Sequence, residues 1–451
     1  MSKKSKKKWQ QLGERITQSM KEKEIPGVAL GIWHQGKAHT AGFGVTNVDH
    51  PQKVNDATLY QIGSITKTFV ALAIVQLVEA GKLDLNAPVR TYLPDLRTKT
   101  PEVAANVTVR HLLTHTAGWD GDLFHDTGSG EDALTRYAKV LAEQPQILPL
   151  ETAVSYNNAS FSLAGHLIEQ VTGQPFETVI KERIFAPLGM ADAYFDARDV
   201  ITHRFAVGHN GGQVARPWYL TRSAYPAGGI CCHVHDLLTY GRFHLSHGTF
   251  NDNQLISPDL LELCHTPQFP IWGAESIGLA WFVDDRAGTR IWRHGGGTKG
   301  QVTLLAIVPE HALVLVCFTN GENGGALTRE VLEWVMAHYL DAPIPQPEPI
   351  AYETADLQPY VGQYDRGFAE IELGIIGGRL IGQQVQRRGF PDQHTPPPPP
   401  PPPATLLPTG KDQFVISDGP MARAEVHFIR NAEGEIGWLR LGLRAYQRLN
   451  G

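Results

Sequence analysis

Cysteine is scarce in this sequence, with four in 451 residues, too few for a disulfide scaffold. Cys231 and Cys232 are adjacent, Cys264 and Cys317 sit in apolar contexts, and there is no C-x-x-C pair. All four therefore read as buried small hydrophobes, not redox centres or metal ligands. Cationic excess is also missing. The formal net charge is −6, which argues against nucleic acid as a partner. No stretch approaches the roughly 18 apolar residues of a membrane span. The longest apolar runs, such as ALVLVCF at 312–318, have the length of buried strands. The N-terminal lysines are not followed by the apolar core of a signal peptide, so the expectation is a cytoplasmic protein. Those lysines, Lys3, Lys4, Lys6, Lys7 and Lys8, make residues 1–8 a basic run expected to be a disordered, solvated end. Internal repeats are absent.

What is present is ample material for a core. Hydrophobic residues make up 42% of the chain, and its length suggests two or three domains. Residues 9–24 predict an amphipathic helix that stops before Pro26-Gly27. The segment 28–45 predicts a hairpin turning at Gln35-Gly36. Residues 65–80 predict a helix apolar almost all round, which belongs inside the protein, with Gly81 as its stop. Helical segments are expected near 108–116, 131–143 and 160–172. Two further hairpins are expected over 278–296 and 302–320, and a closing helix over 326–340. Strands at both ends with helices between them predict one α/β domain over 9–341, an antiparallel sheet flanked by helices.

APIPQPEP at 342–349 reads as a linker. Beyond it, residues 350–451 contain short strand-like runs separated by Gly turns, which predicts a small all-β domain, barrel or sandwich. Eight prolines, Pro396–Pro403, cannot pair in a sheet and are expected as an exposed polyproline II loop.

Three motifs could carry chemistry. Gly63-Ser64-Ile65-Thr66-Lys67 is an S-x-x-K opening the apolar helix. A serine hydroxyl needs a base, positions i and i+3 share a helix face, and a desolvated lysine favours the neutral form that accepts a proton. Tyr156-Asn157-Asn158 is a Y-x-N where a loop meets a helix. Its phenol can relay a proton, its amide can donate to a carbonyl, and Asn158 or Ser160 can cap the helix. His294-Gly295-Gly296-Gly297 ends a strand. Glycines there let another backbone lie along the edge and offer N–H groups to an oxyanion. Taken singly, each motif is equally an N-cap with a snorkelling lysine, a cap with packing, and a Gly-rich bulge.

Together, in this order and spacing, the motifs resemble those of the penicillin-recognising serine hydrolases. That group includes class C β-lactamases, DD-peptidases, D-aminopeptidases and family VIII-type esterases. Further matching text is IPGVALGI at 25–32, HLLTHTAG at 111–118, PAGGI at 226–230 and FTNG at 318–321. The resemblance covers about 10–341. The tail, with PYVGQY at 359–364 and WLRLGLRAYQR at 438–448, resembles the small β-barrel appended to some members.

The resemblance implies a β-lactamase/transpeptidase-like fold and a set of roles. Ser64 would attack the carbonyl, and Lys67 and Tyr156 would share its proton, the choice of base staying open. The backbone N–H groups of Ser64 and Gly297 would form the oxyanion hole. Asn158 would bind the substrate amide, and His294, Gly295 and Gly296 would line the substrate strand. No metal or organic cofactor is implied. The partner would be a small-molecule or short-peptide acyl substrate, and the oligomeric state is unread. His294 stands where many β-lactamases carry the Lys of K-T-G, and Gly295 replaces the hydroxyl residue that follows. A histidine mostly neutral at pH 7 serves an anionic β-lactam less well than an ammonium. Both departures turn the expectation toward esterase or D-peptidase work with slow β-lactam turnover. A sensor or scaffold that acylates without turnover, and an acyl transferase, stay open. His111 and His115, spaced i, i+4, lack a following Glu and read as structural, as do His233 and His235.

Overall fold

The protein is described by a computed structural model covering residues 3–389 and 396–449. Eight strands form the main antiparallel sheet: β1 (Gly27–His34), β2 (Lys37–Gly44), β3 (Phe269–Trp272), β4 (Glu275–Ile277), β5 (Phe282–Asp284), β6 (Ile291–Gly297), β7 (Val302–Val308) and β8 (Leu313–Thr319). Their order is β2-β1-β8-β7-β6-β5-β4-β3. β1 therefore lies between its hairpin partner and a strand from the far end of the domain, with Val28 opposite both Phe43 and Thr319. The β1–β2 turn places Gln35 and Gly36 at φ 51° and 76°, the left-handed geometry of a type I′ turn.

Alternation along the sheet divides the core into two layers. Leu313, Leu315 and Cys317 of β8 face α1 (Lys3–Glu22) and α5 (Gly324–Tyr339). Val314, Val316 and Phe318 face the helical layer on the other side, which contains α2 (Thr66–Glu79), α3 (Asn158–Thr172) and α4 (Val234–Leu245). All seven residues of β8 are buried, as a strand covered on both faces requires. In α2 every residue from Thr66 to Leu77 is buried, so this helix runs through the middle of its layer. The four cysteines are free and buried.

One expectation is corrected at the N-terminus. From Lys3 to Lys8 the basic run is helical and not a disordered end, since α1 begins at Lys3; Met1 and Ser2 lie outside the described residues. Lysine is a good helix former, and Trp9, Leu12 and Ile16 anchor the helix on α5, where Lys8 Nζ donates to His338 O. The helix thus starts six residues before the predicted one.

The C-terminal domain is a closed eight-stranded antiparallel barrel, sealed by pairing of Gly362–Asp365 with Arg444–Arg448. Tyr360, Tyr364, Phe414 and Phe428 fill it. Pro396–Pro403 carry no helix or strand and lead into the strand Ala404–Gly410; Pro401 O accepts from Gln383 Nε2. The barrel packs against the first domain by directional bonds. Trp438 Nε1 donates to Ile147 O (2.7 Å), Ala445 N to Ser155 Oγ (3.1 Å), and buried Arg440 to Val154 O and Ile271 O.

Candidate active site

The turn Gly63–Ile65, a single 3₁₀ turn, leads into α2 and carries Ser64. Its backbone lies directly on β6. Gly63 has φ +53°, and a Cβ there would meet Gly297 N at 2.6 Å. A Cβ on Gly296 would meet Ile62 O at 1.8 Å. Only glycine allows this approach, which brings the residues of the first and third motifs together. β5 pairs with β6 only as far as Arg293, so the edge of His294–Gly297 continues past its neighbour into a cavity. That cavity, about 1010 Å³, is lined by Ser64, Tyr156, Asn158 and His294–Gly297.

Lys67 is fully buried. Its Nζ lies 2.9 Å from Ser64 Oγ, 2.8 Å from Asn158 Oδ1 and 2.5 Å from Ala227 O. Burial, reinforced by Arg444 and opposed by Asp122, pushes the amine well below the ordinary lysine range. A neutral amine has two N–H bonds and one lone pair. The two carbonyl oxygens can only accept, so they take both N–H bonds, and the lone pair is left for Ser64.

The Tyr156 hydroxyl lies beside Ser64. Burial raises its phenol above the usual range, against the opposing effect of Ser64 and Arg444. At neutral pH it is therefore a phenol, not a phenolate. Its ring sits between the Lys67 amine and the Arg444 guanidinium, with Lys67 Nζ and Arg444 Cζ each 5.0 Å from the centroid. His115 lies under the same ring at 4.3 Å, its Nδ1 accepting from Asn157 N. The helix cap here differs from the expected one: Asn157, not Asn158 or Ser160, caps α3 by accepting from Ser160 N (2.8 Å).

Asn158 also has a different first task from the expected one. Its Oδ1 faces Lys67, and its Nδ2 donates to Asp122 Oδ1 at 2.9 Å, so a single N–H is left for any substrate. His294 Nδ1 lies 2.6 Å from Gly295 O and must carry the proton, because a carbonyl only accepts. Burial and the nearby Lys67 hold the ring neutral, lowering its pKa to about 3. Nε2 has no partner.

The expected residues thus converge on one site. Sequence reasoning missed its supports Asp122, Arg366, Arg444 and Leu443, while His115, expected to be structural, packs under Tyr156. Leu443 O accepts from Tyr156 N (2.7 Å), and Arg366 and Arg444 both bond Asp122; all three are barrel residues. His111 is engaged elsewhere, closing the cap of Val109–Leu113 and pairing with Glu151 at 2.8 Å. His233 caps α4, and His235 pairs with Asp56. Among the described residues no cluster of His, Cys, Asp or Glu could hold a metal ion, and no helix is long and apolar enough to cross a membrane.

A family model described as Beta-lactamase matches residues 12–337. A relative named penicillin-binding protein 4, from Amycolatopsis lactamdurans, is 31% identical over 377 residues, covering 79% of this chain and 97% of its own. Esterase EstB from Burkholderia gladioli is 30% identical over 211 residues, 44% of this chain and 53% of its own. The crystal structure of SurE with D-Leu superposes with a TM-score of 0.77 at 25% identity, covering 98% of this chain and 99% of that one.

Proposed function

This chain belongs to the beta-lactamase family, and from that premise we propose that it is a serine hydrolase working through an acyl-enzyme on esters or amides, D-residue acyl groups among them. One observation carries the reading: the buried Lys67 Nζ lies 2.9 Å from Ser64 Oγ, 2.8 Å from Asn158 Oδ1 and 2.5 Å from Ala227 O, so that a neutral amine with both N–H bonds on the carbonyl oxygens would turn its lone pair to Ser64.

As a bond forms between Ser64 Oγ and the substrate carbonyl carbon, the Ser64 proton passes to Lys67 Nζ. The oxyanion is held by the N–H groups of Ser64 and Gly297. Tyr156, a phenol beside Ser64, hands a proton to the leaving alcohol or amine as its bond to carbon breaks, and is reprotonated from Lys67. Water then attacks the ester under the same base, freeing the acid and Ser64. Neutral His294 offers Nε2 as an acceptor for a substrate N–H or the Tyr156 hydroxyl. The free edge at Gly295 and Gly296 receives an extended acyl chain.

The cavity is larger than a simple acetyl ester needs, and Leu123, Phe124, Pro217 and Tyr219 give it an apolar wall. This size, a relative named as penicillin-binding and a neighbour solved with D-Leu favour short peptides or esters carrying a D-residue. Intact-mass spectrometry after exposure to nitrophenyl acetate, nitrocefin and a D-Ala-D-Ala peptide tests the proposal. A transient adduct on the native chain is expected, with none on Ser64→Ala. Turnover surviving in Ser64→Ala refutes Ser64 as nucleophile. A permanent adduct points to a sensor, and conjugates with an added amine point to acyl transfer.

A further inference from the structure

Resting on that reading of Ser64 and Lys67, we infer that Asp122 is a positioning residue: it holds the Asn158 amide in one orientation, which dictates where the Lys67 lone pair points, and the C-terminal barrel holds Asp122.

An amide side chain has a donor end and an acceptor end of nearly equal shape, so only its partners decide which way it faces. Asn158 must present Oδ1 to Lys67 if the lysine is to spend an N–H there. Turned over, it would present Nδ2, and the lone pair would be drawn to that N–H instead of to Ser64. Asp122 forbids the second arrangement. Its carboxylate is buried and takes Nδ2 at 2.9 Å. An ionised carboxylate only accepts, and a reversed amide would set oxygen against it.

The anion is kept ionised from outside the catalytic domain. Arg366 donates to Asp122 Oδ2 at 2.7 Å, and Arg444 donates through Nε at 2.9 Å and its terminal nitrogen at 3.2 Å. Burial would raise the carboxyl, but these two guanidinium groups outweigh it and hold it well below the usual range. Arg366 is itself fixed over the Phe368 and Tyr446 rings, 4.6 and 5.4 Å away. A chain of contacts therefore runs from barrel arginine to Asp122, to Asn158, to Lys67. The turn that precedes Arg444 also takes the backbone N–H of Tyr156 through Leu443 O. Among the described residues, the charged or titratable groups facing Lys67 are Tyr156, His115, His294, Arg444 and Asp122, and Asp122 is the anion of the set.

The test is kcat, KM and the acid limb of kcat/KM for a nitrophenyl ester, from about pH 5 to pH 10, on the full chain. Asp122→Asn no longer enforces one amide orientation, and it removes the charge that favours the ammonium form of Lys67. Its kcat is expected to fall on the order of 10- to 100-fold with KM within about threefold, and the acid limb to move to lower pH. Arg366→Gln leaves Asp122 less compensated, favours the ammonium, and moves the acid limb to higher pH with a several-fold loss of kcat. A merely structural role would lower the melting temperature of both variants without moving the limbs in opposite directions. Asp122→Asn with native kcat and an unmoved limb overturns the inference, provided Ser64→Ala is inactive. An active Ser64→Ala overturns the earlier reading instead. Should Asp122→Asn not fold, Arg366→Gln decides alone, and a limb that stays or moves down overturns the inference.

Discussion

Replacing Gly296 with alanine probes the contact that assembles the site. The added methyl would lie 1.8 Å from Ile62 O and 2.4 Å from Thr303 Oγ1. Ordinary contact begins at 3.4 Å, so β6 and the turn carrying Ser64 must separate by roughly 1.6 Å. Thr303 Oγ1 donates to the same Ile62 O at 2.8 Å, and this bond is in the path of the methyl. Overpacking of about 1–3 kcal/mol and a lost hydrogen bond of about 1 kcal/mol give a destabilisation of about 2–4 kcal/mol. The kinetic effect is larger in proportion. Ser64 moves relative to Gly297, and a displacement on the order of 1 Å costs about 100-fold in rate. Its neighbours supply the control. A Cβ on Gly295 meets only Thr303 O, at 3.6 Å, and one on Gly297 meets nothing within 4 Å. Gly295→Ala and Gly297→Ala should melt like the native chain, the second changing KM because Gly297 borders the cavity. Thermal melts and steady-state ester hydrolysis on the three variants measure this. A Gly296→Ala chain with kcat within about threefold of native would refute the packing argument.

Lys67→Met keeps the length of the side chain and removes the base; kcat should fall by about 100- to 10,000-fold while the chain still folds, and a loss under tenfold in ester turnover would count against Lys67 as base. Burial pushes His244 down to about 3, and His294, lowered by burial and Lys67, likewise to about 3. The unfolded state then binds more protons below about pH 6.5, so the stability these neutral rings contribute is present above that pH and falls as pH drops toward 3, by about 2 kcal/mol per ring at pH 5. Melting curves between pH 7 and pH 5 should show this slope and a shallower one in His244→Phe; equal slopes would remove His244 as a cause. Burial raises the thiols of Cys264 and Cys317 to about 12 and those of Cys231 and Cys232 further still. A thiol reagent should label none of the four in the native protein and all four in denaturant, and rapid native labelling would contradict the packing.

The parts of the site written in short spacing are legible in the amino-acid sequence itself. Ser64 and Lys67 are one helical turn apart, Tyr156 and Asn158 flank a cap, and the glycines after His294 announce a strand edge. The helix 65–80 and the hairpin 28–45 are equally plain, because each shows its own periodicity. What spacing cannot show lies between distant segments. Asp122 meets Arg366 and Arg444, 244 and 322 positions away, and no local pattern encodes such a pair. The aspartates in Trp119-Asp120-Gly121-Asp122 look like ordinary loop residues until the barrel arginines reach them. Asn158 reads as a substrate ligand because a lone amide does not reveal that Lys67 and Asp122 already occupy both its ends. The basic run at the start reads as solvated from its charge, while its fate is decided by the apolar stripe beginning at Trp9.

The position of β1 between its hairpin partner and a strand from the far end of the domain sets a schedule for biosynthesis. Val28 leaves the ribosome 291 residues ahead of Thr319, its partner on β8. At ordinary rates of translation that interval is roughly 15–60 s, during which the first hairpin waits with one long side unzipped. Its apolar residues and unpaired backbone are a template for other nascent chains throughout that wait. Expression yield should therefore depend on chaperone supply during elongation more than on the stability of the finished protein.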